Sequence, residues 1–440
     1  MSAFDEMAAV LPVTAGVNGH GHLTLAGCDV VELAAEFGTP LYIFDEATLR
    51  GSCREYRDEF SRSYNNVLVI YAAKAAINRA LATIIKEEGL GLDVVSGGEL
   101  SIARSVDFLM DRVYFHGNNK SREELEMAVS AGVGRIVVDN LHELWLLNEA
   151  AGAAGVKQDI LLRLTPGIDA HTHRHVTTGI IDSKFGLSIA SGQAEEAVGA
   201  ATGARNLDLI GLHVHLGSLI FSAEPYQEAT DAVLAFAAAM KGFYAFDLAE
   251  YSPGGGFAVQ YTRDTSAPGA AYYAGAIAES IRSSCGELKM RLPRLVIEPG
   301  RAIVARSCVA VYSAGAVKEI RGVRKYVSVD GGMADNIRPA LYGSRYEALL
   351  ANKATEANSE KVTIAGKFCE SGDILVTDVE LPQVEPGDTV VIPVSGAYNL
   401  SLASNYNASL KPAVAMVKDG NARLIRRRET YDDLIRNDLV

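Results

Sequence analysis

A lysine stands where a buried strand opens toward a helix, at the end of Val67 to Lys74, VLVIYAAK. Val67 to Tyr71 read as the strand, two alanines follow, and after Lys74 the residues Ile77, Leu81, Ile84 and Ile85 recur at helical spacing. Burying a cationic amine in such a place is costly unless it is paired or neutralised. A neutral lysine amine is a nucleophile for carbonyls, so the chemistry on offer is Schiff-base formation. Taken alone, the same lysine is more simply a strand-end residue whose amine reaches water.

Other reactive residues fall at corresponding places along the chain. Asp93 runs into Ser96-Gly97-Gly98-Glu99, and the next apolar segment is followed by His116-Gly117-Asn118-Asn119. Arg163 sits in a further strand, and His213 and His215 precede Gly217-Ser218. Then come Gly254-Gly255-Gly256 and Glu298-Pro299-Gly300-Arg301. Three glycines in a row remove every Cβ, so backbone N–H groups can close around an anion such as phosphate, with Ser218 and the amides near Gly300 helping. In isolation they are a flexible turn. A buried Glu298 needs a cationic partner, and a protonated pyridine nitrogen would serve. His215 can stack on a flat ring or be a satisfied core histidine. An amine for an aldehyde, a glycine loop for a phosphate and an acid for a ring nitrogen together describe pyridoxal 5′-phosphate (PLP), which supplies an electron sink.

Later in the chain, Arg338 and Tyr342 are four apart in DNIRPALY. Cys369 and Glu370 follow a strand in CESGD, and Tyr398 ends another in SGAY, where its hydroxyl can reach phosphate. Cys369 is either a small buried hydrophobe or a proton donor. The histidines of HTHRH, His171 to His175, alternate on a loop-like segment. No matching third ligand stands out, so no metal site is expected.

These residues need a scaffold that brings strand ends together. From Val67 the chain alternates strand and helix, with strands expected at Val67 to Tyr71, Leu92 to Val95, Val113 to Phe115, Arg135 to Val138, Ile160 to Leu164, Leu209 to His215, Asp247 to Tyr251 and Arg294 to Ile297. That pattern fits an α/β fold, a (β/α)8 TIM-type barrel whose chemistry sits at the C-terminal strand ends. An open doubly wound sheet is the alternative, but the first turn lacks GxGxxG. After residue 300 the chain becomes β-rich and is punctuated by glycine and proline. Only Arg345 to Asn358 reads as helical there. The expected domains are an N-terminal segment, 1–44, whose strands join the β domain; a barrel, 45–305; and a C-terminal all-β sandwich or barrel-like domain, 306–440.

A chain of 440 residues, 48% hydrophobic with formal net charge -13, is an acidic globular protein, for which neither a nucleic-acid nor an anionic-membrane surface is expected. No apolar run approaches the length of a membrane helix, and the N-terminus lacks a basic n-region. Five cysteines without a CxxC suit a reducing cytoplasm.

The segments YAAKA, GLDVVSGGEL, FHGNNKS, HTHRHVTTG with SKFG, HVHLGS, GGGF, EPGR, DNIRPALY, CESGD and GAY, in this order, resemble the fold-type III, alanine-racemase-like PLP decarboxylases over nearly the whole chain. CESGD with DNIRPALY points, within that family, to members acting on meso-2,6-diaminopimelate to give L-lysine and CO2, the last step of lysine biosynthesis. The alternatives are decarboxylases of D-lysine, D- or L-ornithine or L-arginine, or a catalytically silent PLP-binding relative. The resemblance implies that Lys74 binds the cofactor covalently, that His215 stacks on its ring, and that Glu298 pairs with the ring nitrogen. Ser218, Gly255, Gly256, Gly300 and Tyr398 would surround the phosphate, with Asp93 in the cofactor-binding set. Arg301, Arg338 and Tyr342, with Tyr398, would bind substrate. Cys369 would be the acid that protonates the carbanion, and Glu370 would meet the distal end of the substrate. Both would act in the site of a second subunit, so the family resemblance implies a homodimer with shared sites. The chain departs from the family pattern at Leu219, Asn399 and Lys411.

Overall fold

The computed structural model describes residues 2–169 and 183–439. The histidines His171 to His175, and with them HTHRHVTTG, lie outside the described residues. The described chain divides into two compact units, one from Cys53–Ala258 and Ala267–Gly300, the other from Met1–Ser52, Val259–Ser266 and Arg301–Val440.

The first unit is a closed barrel of parallel strands: β1 Val67–Ala72, β2 Gly91–Val94, β3 Val113–Phe115, β4 Arg135–Val138, β5 Gln158–Thr165, β6 Leu207–His213, β7 Glu250–Gly254 and β8 Arg294–Ile297. Each pairs with its neighbour, and β8 returns to β1 with Leu295 opposite Val67. The strands are nearly continuous apolar runs because a parallel sheet covered by helices is buried on both faces. Leu68, Ile70, Tyr114, Val137, Leu161 and Val296 form one core cluster. Four of the connecting helices, those after β1 to β4, start at side-chain caps. Asn78, Ser96, Ser121 and Asn140 each accept a backbone N–H of the first helical turn. These caps set where the chain leaves the ends of β1 to β4, where Lys74, Asp93 and His116 lie.

Two strands are shifted from expectation. β6 ends at His213, so His215 lies just beyond it, and β7 begins at Glu250 and runs through Gly254. Buried Pro253 continues the strand and Gly254 ends it at φ +78°, with a register irregularity between Tyr251 and Gly254 against β8.

In the second unit, the N-terminal strand Leu41–Asp45 lies between Cys308–Ile320, antiparallel, and Ala413–Lys418, parallel. Thus the all-β domain incorporates chain from both ends, as expected for the fold. Leu23–Leu25 instead joins a separate small sheet with Gly16–Val17 and Cys28–Asp29. The expected helix over Arg345 to Asn358 is absent. Leu349–Leu350 is a short strand paired with Thr389–Ile392, followed by a 3-10 turn at Ala351–Lys353. Ala348, Leu349, Leu350 and Ala351 are consecutive and all buried, so this run faces the core on every side rather than forming the single stripe a surface helix needs. Arg301–Val304 is a short helix ahead of the long strand at Cys308. Among the described residues no helix is long and apolar enough to cross a membrane.

Candidate active site

The barrel unit collects its reactive side chains at the C-terminal ends of the strands. Lys74 sits in a single 3-10 turn, Ala73–Ala75, directly after β1 and is half-buried. The turn is fixed against the segment after β8. The Ala72 N–H donates to the Pro299 carbonyl at 3.2 Å, and a Cβ on Gly300 would lie 3.0 Å from the Ala72 Cβ and 3.2 Å from the Ala75 Cβ. Glycine at 300 therefore lets the Glu298 segment approach the lysine turn.

Glu298 is 4% exposed. Its Oε1 accepts from the Ser252 hydroxyl at 2.8 Å, its Oε2 lies 3.2 Å from His213 Nε2, and His116 Nε2 is 3.6 Å from Oε1. The two imidazole rings meet edge to face, 4.8 Å between centroids. Burial alone would raise the Glu298 carboxyl, but His213, His116 and the Ser252 hydroxyl outweigh it and hold the group well below the usual carboxylate range. Burial keeps His116 well below the ordinary imidazole range.

Asp93 provides the contrast. It is 1% exposed, and neither carboxylate oxygen has a hydrogen-bond partner among the described residues. His116 Nε2, at 3.8 Å from Oδ1, is beyond hydrogen-bond reach. Burial pushes Asp93 up to about 8; Lys74 opposes the shift and Glu298 adds to it. Two carboxylates thus share one buried region with unequal donor sets. Glu298 is the ionised one and Asp93 carries the proton at neutral pH. His116, His213 and Glu298 place ligand atoms within 4.8 Å of one another, a donor set that would also suit a metal ion. The 3.2 Å spacing from His213 Nε2 to Glu298 is that of a hydrogen bond.

Backbone glycines close the site. A Cβ on Gly255 would lie 2.0 Å from the Glu298 carbonyl oxygen, and one on Gly256 2.3 Å from that of Gly217. The Gly254 N–H donates to Ser252 Oγ at 3.1 Å and the Gly255 N–H to His215 Nδ1 at 3.3 Å. Two of the three amides expected to face an anion are therefore taken up by Ser252 and His215. Burial, with Lys74 and Arg163 nearby, holds His215 well below the ordinary imidazole range. The neutral ring accepts at Nδ1, so its proton is on Nε2. Behind the rim, Arg163 lies 4.3 Å over the Phe185 ring and 3.7 Å from Asp139. Buried Lys120 bonds Glu143 at 2.6 Å and the carbonyls of Gly117 and Val137 at 2.8 Å, pinning the loop that carries His116.

The second unit gathers a different set. Arg301 Nη1 donates to the Tyr261 hydroxyl at 2.8 Å, and its guanidinium lies 4.7 Å over the Tyr398 ring. Arg338 opens a short helix that Tyr342 closes; it donates to the Tyr346 hydroxyl and lies 4.7 Å over the Tyr261 ring. Tyr398 has φ +61°, a conformation unusual for a residue with a Cβ. Arg301, Arg338 and Tyr398, which the sequence offers as site residues, lie together in this unit; Tyr261 and Tyr346, which hold the two arginines, are not among the sequence candidates. Cys369 is exposed, so the reading of it as a small buried hydrophobe is corrected. Its backbone N–H donates to Asn407 at 3.3 Å, and Phe368 packs against Tyr406. Ser218 is half-buried just beyond His215.

The barrel residues fit PLP. Lys74 offers an amine for the aldehyde, Glu298 an ionised carboxylate for the ring nitrogen, and the glycine turn a surface free of side chains. The unpartnered oxygens of Asp93 and the unpartnered Nδ1 of His213 are buried polar atoms that still lack partners.

Comparison with known proteins agrees with this chemistry. Residues 47–305 match the family model "Pyridoxal-dependent decarboxylase, pyridoxal binding domain". Diaminopimelate decarboxylase of Bacillus subtilis is 43% identical over 426 residues, 97% of each chain. That of Mycobacterium tuberculosis is 43% identical over 424 residues, 94% of each chain. A crystal structure of diaminopimelate decarboxylase from M. jannaschii in complex with L-lysine superposes with a TM-score of 0.91 at 34% identity, covering 100% of this chain and 99% of that one. With Lys74 and a buried ionised Glu298 both at the barrel rim, and similarity over nearly its whole length, the chain belongs to the diaminopimelate decarboxylase family of pyridoxal-dependent decarboxylases.

Proposed function

We propose that the protein decarboxylates meso-2,6-diaminopimelate at its D-configured carbon, giving CO2 and L-lysine, in the last step of lysine biosynthesis. The observation that carries this reading is the pairing of Glu298 with His213 and Ser252 at the rim that also holds Lys74. PLP, when bound, supplies the electron sink for the pair left by the departing carboxylate.

The chain's own residues do the rest. Lys74 would hold the cofactor through its aldehyde. Glu298 would hold the protonated ring nitrogen with its negative charge. His215 would stack on the ring, and Ser218, Gly255, Gly256, Gly300 and Tyr398 would hold the phosphate, Gly255 by leaving room for it rather than by its N–H, with Asp93 in the cofactor-binding set as a neutral acid. Arg301 and Arg338, with Tyr342, hold the carboxylate that is not lost, since a planar guanidinium matches a carboxylate in two bonds. We place Cys369 and Glu370 in a site shared with a second copy of the chain, where Cys369 returns a proton to the carbon and Glu370 meets the far end of the substrate. The exposed position of Cys369 supports that reading. Free cysteines throughout the described chain are in keeping with a reducing cytoplasm.

The test is turnover in heavy water. L-lysine carrying a single deuterium, at the carbon that lost its carboxylate, is expected. A product that is not L-lysine, or no CO2 release, overturns the reading.

A further inference from the structure

Arg338 is 2% exposed, and among the described residues no carboxylate lies within ion-pair distance of it. Its Nε has no hydrogen-bond partner. A buried guanidinium with an orphaned donor is costly to keep. What it does have is a chain of neutral groups. Arg338 donates to the Tyr346 hydroxyl, and that hydroxyl donates to Asn399 Oδ1 at 3.2 Å. Tyr261 stands between the two arginines, accepting from Arg301 at 2.8 Å and presenting its ring to Arg338 at 4.7 Å. The Tyr261 and Tyr346 rings meet at 88°, 5.4 Å apart, which fixes both. Burial would raise the Tyr261 hydroxyl, yet Arg301 and Arg338 outweigh it and draw the group below the ordinary tyrosine range. The cluster therefore concentrates positive charge in a buried place and leaves it without a full counter-charge on Arg338.

We infer that Tyr346, Asn399 and Tyr261 are positioning residues that hold Arg338 and Arg301 in register for a carboxylate of the substrate, and so set the preference for a ligand that carries one. The inference rests on the proposed function for the identity of the ligand. The geometry explains why three uncharged residues are used. A carboxylate in their place would satisfy the arginines permanently and remove the need for substrate. A tyrosine and an amide orient the guanidinium while leaving its charge available.

The test compares two ligands that differ by one carboxylate. L-lysine retains a carboxylate, and cadaverine, the same diamine chain without it, does not. Binding of each to the PLP-loaded protein is measured by calorimetry for wild type, Tyr346→Phe, Asn399→Ala and the double variant. Loss of a hydrogen bond to a charged group corresponds to roughly tenfold in affinity. L-lysine is expected to weaken by about that factor in each single variant and by little more in the double, because the two act through one chain. Cadaverine binding is expected to stay unchanged. Tyr261→Phe, which keeps the ring, is expected to lose less L-lysine affinity than Tyr261→Leu. In turnover, KM for diaminopimelate should rise with kcat nearly constant.

Equal weakening of both ligands, or effects that multiply in the double variant, overturns the inference. Asn399→Ala probes the same chain from its far end, so a misfolded Tyr346 variant does not spoil the test. The binding measurement needs no turnover, so a failure of decarboxylation would count against the proposed function and leave this result independent.

Discussion

His213 Nε2 lies 3.2 Å from Glu298 Oε2, joining the ends of β6 and β8 across the barrel interior. With Ser252 on the other oxygen, this contact lets a fully buried carboxylate stay ionised. His213→Leu removes the donor and leaves the charge under-solvated. Loss of a hydrogen bond to a buried charge is on the order of 1.5–3 kcal/mol, or about 10- to 100-fold in kcat. His213→Gln, which keeps an amide donor, should recover part of that. The visible spectrum of the bound cofactor should shift its pH dependence in the leucine variant. An unchanged spectrum and rate would show that His213 does not act on Glu298.

Asp93 supplies a pH signature. Its folded value is about 8, against the ordinary 3.8. Between those values the folded protein holds a proton that the unfolded chain has released. Stability from this group is therefore complete below the lower value and is lost as pH rises through the upper one. Thermal midpoints of the cofactor-free protein should fall from about pH 5 to about pH 8 more steeply in wild type than in Asp93→Asn. Parallel curves would contradict the assignment of the proton to Asp93.

Gly255 is required by approach rather than by flexibility. An added Cβ would sit 2.0 Å from the Glu298 carbonyl oxygen, which is backbone and cannot step aside. Gly255→Ala should cost about 1–3 kcal/mol or more and displace Glu298. A lower thermal midpoint together with weakened cofactor retention is the expected pair of results. A stable variant that retains cofactor normally would mean the turn relaxes freely.

The proposed sharing of sites between two copies of the chain can be tested by complementation. Lys74→Ala should abolish turnover and the borohydride-fixed attachment of cofactor to the chain. Cys369→Ala should lower kcat with little change in KM. When the two variants are mixed and allowed to exchange subunits, half the dimers carry one intact site, so about one quarter of wild-type activity should return. A mixture no more active than its components would mean that each site is built from a single chain.

Much of this was legible in the sequence because a parallel barrel strand is an apolar run, and a charged residue at its end stands out. Lys74, Asp93 and Glu298 stand out that way. His116 and His213 were visible as strand-end residues, but their convergence on Glu298 depends on which strands close the barrel. Tyr261 and Tyr346 were not found. Tyrosine is common in cores, and the Tyr261 partner, Arg301, is 40 residues away. The nearer signal was Tyr346, eight residues after Arg338. The misread helix at Arg345 to Asn358 failed because tertiary pairing of Leu349 with Val391 outweighed local propensity.

The most direct measurement is CO2 release from the purified, PLP-loaded protein offered meso-diaminopimelate, D-lysine, D- and L-ornithine and L-arginine in parallel. The account expects release from diaminopimelate alone, with L-lysine as the product. Release mainly from an acid with a single carboxylate would contradict it, and would remove the reason for the buried arginine pair at Arg301 and Arg338.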